Sequence, residues 1–88
     1  MLDFTKMRYL KEIPHPAFRV GLYIWNNKYL IKIEAGMYEQ TYKISEMDVS
    51  SEDEVIRLVD ETFLQRVNDR FAQMHEDFIN TIERHEFD

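Results

Sequence analysis

Three histidines, a few serines and a large stock of carboxylates are the side chains that could do chemistry in this 88-residue sequence, which contains no cysteine. Disulfides, thiolate zinc sites, iron–sulfur clusters and cysteine nucleophiles are therefore excluded by inventory. His75 and His85 fall in one helical pattern. Ten positions of helix separate them by about 15 Å along the axis and about 80° around it, too far to share a metal within one chain. Both sit on or beside an apolar stripe and are read as partly buried packing residues, while His15, between Pro14 and Pro16, is read as exposed. Ser45, Ser50 and Ser51 lack the glycine-flanked elbow that presents a serine nucleophile, and they suit caps and loops. Gly21 and Gly36, the two glycines, cannot assemble a phosphate-cradling loop. Helical carboxylates such as Glu83 and Glu86 interleave with Arg57, Arg66, Arg70 and Arg84, the pattern of a solvated face. No catalytic set, metal site or cofactor site emerges, and the chain reads as a binding protein rather than an enzyme.

Two other constellations remain, and both depend on the elements that carry them. From Phe18 the sequence alternates strictly, with Phe18, Val20, Leu22 and Ile24 on one face and Arg19, Gly21, Tyr23 and Trp25 on the other, a half-buried strand. Asn26-Asn27 suits a two-residue type I′ turn, because asparagine tolerates positive φ. That turn pairs Ile24 with Tyr29, Leu22 with Ile31 and Val20 with Ile33 on the apolar face, and Trp25 with Lys28, Tyr23 with Leu30 and Arg19 with Glu34 on the other. A second turn at Ala35-Gly36 is expected to set Ile33 against Tyr38, Ile31 against Gln40, Tyr29 against Tyr42, Lys32 against Glu39 and Lys28 against Lys43. The result is a three-stranded antiparallel meander over about 18–25, 28–35 and 37–45. Ahead of it, residues 4–13 fit either a helix, through Phe4, Met7, Leu10 and Ile13, or an extra strand with Met7, Tyr9 and Ile13 on one face.

Ser51-Glu52-Asp53-Glu54 has the form of a capping box and starts a helix. Ile56, Val59, Phe63, Val67, Phe71, Met74, Phe78, Ile82 and His85 then recur at spacings of three or four, so helix extends over about 52–86, as one long amphipathic helix or two consecutive ones. About 35 helical residues would span ~52 Å, against ~27 Å for strands of about eight residues. Either the helix breaks near Asp60-Glu61-Thr62, with Asp60 as a cap, or its C-terminal half projects and needs a partner. The whole is expected to be one small α+β domain over residues 1–88.

The formal charge of −6 is uneven. Residues 1–50 hold seven Lys/Arg and six Asp/Glu, a net +1, whereas residues 51–88 hold four and eleven, a net −7. The longest uncharged apolar run, Val20 to Trp25, is far below membrane-spanning length, and charges interrupt the first ten residues. With no cysteine, these features suit a cytoplasmic protein without a membrane segment.

The first surviving constellation is the outer face of the sheet. There Arg19, Lys28, Lys32 and Lys43 outnumber Glu34 and Glu39 around the apolar side chains of Tyr23, Trp25 and Leu30. The second is a polar cluster of Tyr29, Tyr38, Gln40 and Tyr42 on the core side, a possible small pocket. The leading expectation is self-association as a homodimer, or binding of another protein, through the outer face and the C-terminal helix. An alternative uses the same face as a platform for single-stranded nucleic acid, with bases on Tyr23 and Trp25; the acidic helix opposes it. A third reading puts a ligand or enzyme site at the tyrosine–glutamine cluster, where no base, nucleophile or metal ligand is poised.

Overall fold

A computed structural model describes residues 7–85. Four strands form one antiparallel sheet in chain order, β1 (Arg8–Ile13), β2 (Arg19–Trp25), β3 (Lys28–Ala35) and β4 (Tyr38–Ser45), followed by the helices α1 (Glu52–Leu58) and α2 (Glu61–His85). The architecture is the expected α+β meander with C-terminal helices, enlarged by one strand. Of the ambiguous segment 4–13, residues 8–13 are strand; positions 4–6 lie outside the described residues, as does Glu86 at the far end of the helix.

The first hairpin has the register that the alternation implies, from Arg19 opposite Glu34 to Trp25 opposite Lys28. Asn26 and Asn27 take φ of 52° and 62°, the two positive values that a type I′ turn demands. The second hairpin differs from expectation by two residues. Its turn is Gly36-Met37, with Gly36 at φ 59°, the glycine-first form of a II′ turn. Ile33 therefore faces Gln40, Ile31 faces Tyr42, Tyr29 faces Ile44, Lys28 faces Ser45 and Lys43 faces Leu30. The expected pairs Lys28–Lys43 and Lys32–Glu39 do not form. A slip of two leaves every side chain on its own face, so the apolar pattern survives while each partner changes.

Strand β1 carries a bulge between Tyr9 and Lys11: Tyr9 pairs with Tyr23, Lys11 with Leu22 and Ile13 with Val20. The extra residue breaks the period of two. Tyr9 and Ile13, expected on one face, are separated. Tyr9 joins Tyr23 outside, and Ile13 packs against the core.

The core is one layer of helix on one face of the sheet. Val20, Leu22, Ile31 and Ile33 supply the sheet side, Val55 and Val59 come from α1, and Leu64, Val67 and Phe71 come from α2. Ser51 caps α1 by accepting from the Glu54 amide, and Glu54 reaches back to the Ser50 amide rather than to Ser51 itself. The helical stretch breaks after Val59, where ψ is 69°. Asp60 restarts it, its Oδ1 accepting from the Phe63 amide at 2.9 Å.

The break does not remove the length mismatch. At ~1.5 Å per residue α2 runs about 37 Å, against about 27 Å for the eight residues of β4. Burial along α2 ends at Phe71, and Met74 is half-buried. Four residues further on, Phe78 is 55% exposed. The radius of gyration is 15.6 Å, where a compact chain of this length would have about 12 Å.

Replacing the Asp60 cap tests the break. Asp60→Ala is expected to cost about 1 kcal/mol, read as a lower urea midpoint at unchanged m-value; an unchanged midpoint would show that the restart of α2 does not depend on the cap.

Candidate interaction surfaces

Helix α2 is held on β4 by a polar seam. Gln40 is buried and its Nε2 donates to the Val67 carbonyl at 3.0 Å, while its Oε1 accepts from the Tyr42 hydroxyl at 2.6 Å. The Tyr42 ring meets Phe63 edge-on at 5.1 Å. Further along, the Tyr38 hydroxyl lies 2.9 Å from His75 Nδ1, and its ring sits edge-on to both His75 and Phe78. Phe63 at Tyr42, Val67 at Gln40 and His75 at Tyr38 show that α2 runs antiparallel to β4 and packs against its inner face. Its C-terminal half therefore leaves the sheet at the Tyr38 end.

The tyrosine–glutamine cluster is thus divided. Gln40 and Tyr42 belong to the helix–sheet seam, Tyr38 belongs to the helix overhang, and Tyr29 packs on the core opposite Ile44. The Gln40 amide has its partners within the chain, so it is committed to structure. His75 is exposed, contrary to the expectation of a partly buried residue, because α2 has already reached the margin of the sheet there. His85 is exposed as well. His15, expected to be free in solvent, is half-buried; its Nδ1 accepts from the Ala17 and Phe18 amides and its ring stacks on Phe18 at 4.9 Å. It shapes the connection between β1 and β2.

At the overhang a groove of about 560 Å³ is lined by Met37, Tyr38, Met74, Asp77, Phe78 and Thr81. Met37, in the β3–β4 turn, is 95% exposed.

On the outer face Leu30 is 2% exposed and contributes no surface. The Tyr23 ring lies over Gly21, where an added Cβ would come within 2.9 Å of Tyr23 Cε1. Glycine makes room for the ring. Tyr9 meets it edge-on at 5.4 Å, and Lys32 Nζ stands 5.4 Å from its centroid, within cation–π range. Trp25 and Lys28 are half-buried, while Arg19 and Lys43 are exposed. Beside Tyr23 a hollow of about 280 Å³ is lined by Tyr9, Glu12, Arg19, Gly21 and Glu34. Sequence reasoning missed the role of Tyr9, because it turns on the bulge. Glu34 and Glu39 face each other directly on this side of the sheet, an unfavourable like-charge pair.

Among the described residues no group of three or more histidines and carboxylates is placed to hold a metal ion, and no helix is long and apolar enough to cross a membrane. Compared with family models, curated proteins and solved structures, the chain matches none of them.

The seam yields a quantitative expectation. Gln40→Ala should cost about 2 kcal/mol and Tyr42→Phe about 1 kcal/mol. Because the Tyr42 hydroxyl bonds Gln40 itself, the double variant should lose little more than Gln40→Ala alone. Additive losses in chemical denaturation would contradict the seam.

Proposed function

We propose that the chain works as a self-associating protein-interaction module, a homodimer of small α+β domains joined at the overhanging half of α2 and the adjoining edge of the sheet. One observation carries this reading: α2 keeps its apolar stripe after the sheet beneath it has ended. Phe78 and Ile79 are exposed there, and the groove that Phe78 and Met74 form with Met37 between α2 and the β3–β4 turn is mainly apolar. A helix end meant only for water would be polar around its whole circumference. A contiguous apolar patch at the rim of a small domain is the usual mark of an interface.

The outer face makes a smaller demand. Tyr23 is engaged by Tyr9 and Lys32, and Leu30 is sealed. Arg19, Lys28 and Lys32, with half-buried Trp25, form a cationic flank to the interface rather than its centre. A single-stranded nucleic acid would require free ring faces on which bases can stack, which favours a protein partner over that alternative.

Sedimentation or multi-angle scattering over micromolar to millimolar concentration tests the reading. The mass is expected to rise from 10.8 kDa to twice that value. Phe78→Glu, which buries a charge at the centre of the patch, should weaken the association at least about tenfold. A mass of 10.8 kDa at every concentration would end the proposal.

A further inference from the structure

Resting on the self-association reading, we infer that two copies join edge to edge through β4, pairing antiparallel about Thr41 so that the two four-stranded sheets become one. The two edges of the sheet differ. Strand β1 has six residues, carries the bulge at Leu10 and runs into Pro14 and Pro16, features that protect an edge from pairing. Strand β4 runs for eight residues in unbroken register with β3, and among the described residues no strand lies beyond it.

The directions of its backbone groups follow from the turn. A two-residue loop closes on a hydrogen-bonded pair, here Ala35 and Tyr38, so Tyr38, Gln40, Tyr42 and Ile44 bond β3. The amides and carbonyls of Glu39, Thr41 and Lys43 then point to the open edge. Because the Thr41 amide and carbonyl point outward, a twofold axis through this residue makes Thr41 and its symmetry mate a hydrogen-bonded pair. The axis sets Glu39 opposite Lys43 of the second copy, Thr41 opposite Thr41, and Lys43 opposite Glu39. Each of these is a bonded pair.

The side chains are complementary in the same register. Two Glu39–Lys43 pairs form on the outer face, and each brings a cation to the carboxylate that Glu34 opposes within its own chain. Gln40 meets Tyr42, and Tyr38 meets Ile44. Beyond the strand, Met37 of one copy comes opposite Ser45 of the other, two residues from its Met47. Met37 and Met47 are 95% and 93% exposed. The overhang of α2 emerges at the same end.

Charge exchange tests this pairing without touching the core. Glu39→Lys and Lys43→Glu, each alone, place like charges opposite one another twice per dimer and should weaken self-association about fivefold or more. Mixed in equal amounts, the two variants form a heterodimer with both pairs restored, and wild-type affinity should return. Thr41→Cys adds a check in a chain without other cysteines. Its Cα atoms would lie ~5.5 Å apart across the axis, within disulfide reach, and mild oxidation should yield a covalent dimer. If the wild-type chain associates but the mixture regains nothing and Thr41→Cys stays uncrosslinked, edge pairing is wrong and self-association survives by another surface. A wild-type chain that is monomeric throughout overturns both.

Discussion

The hydrogen bond from the Gln40 amide to the Val67 carbonyl decides how the rest of the protein is arranged. It joins the outermost strand to the second turn of the long helix, in a buried setting where a lost partner is costly. A helix pinned at that point, antiparallel to β4, cannot be centred over the whole sheet. It packs along the inner face of β4, with Phe63 at Tyr42, Met74 at the rim of the core and Phe78 beyond Tyr38. The apolar core completes what the seam begins. Leu64, Val67 and Phe71 reach inward from this line to Val20, Leu22, Ile31 and Ile33.

Two consequences follow from that placement. The helix is longer than the strand beneath it, so its apolar stripe continues over open space, and an elongated molecule results. The strand that carries the helix is also an edge strand, so the exposed stripe and the free backbone edge lie side by side. A partner meeting one meets the other. On the outer face the balance is different, because Gly21 lets Tyr23 lie flat, and the bulge in β1 delivers Tyr9 to cover it. Tyr23 is thus partly covered by the chain itself, while Tyr9 stays 54% exposed.

Much of this was legible in the residues. Strict alternation on both sides of Asn26-Asn27 specifies the first hairpin to the residue, and Asp60 ahead of a renewed stripe offers the helix break as one of two readings. The second hairpin was not fixed in the same way. Turns at Ala35-Gly36 and at Gly36-Met37 differ by two in register, so both keep Ile31, Ile33, Gln40 and Tyr42 facing inward; only the backbone preference for glycine first in the turn separates them. The bulge at Leu10 was invisible, because an irregularity in one strand is visible only against its partner. Gln40 stands out as a polar residue in an apolar column, but its partner is a main-chain carbonyl, and any helical residue has one. The surroundings of His15 and His75 are hidden in the sequence for a related reason: they come from loop geometry and from the point at which α2 leaves the sheet.

Residue-resolved amide hydrogen exchange as a function of protein concentration tests the central claim most directly, since the claim is that a free strand edge and a bare helix end are covered by a second copy. The amides of Glu39, Thr41 and Lys43 point away from β3, so in dilute solution they should exchange fast while those of Gln40 and Tyr42 are protected. Raising the concentration should slow exchange at these three amides and leave the bulged edge of β1 unchanged. Fast exchange at Glu39, Thr41 and Lys43 at every concentration, alongside a mass that has doubled, would contradict the pairing. Fast exchange with an unchanged mass would contradict the whole account.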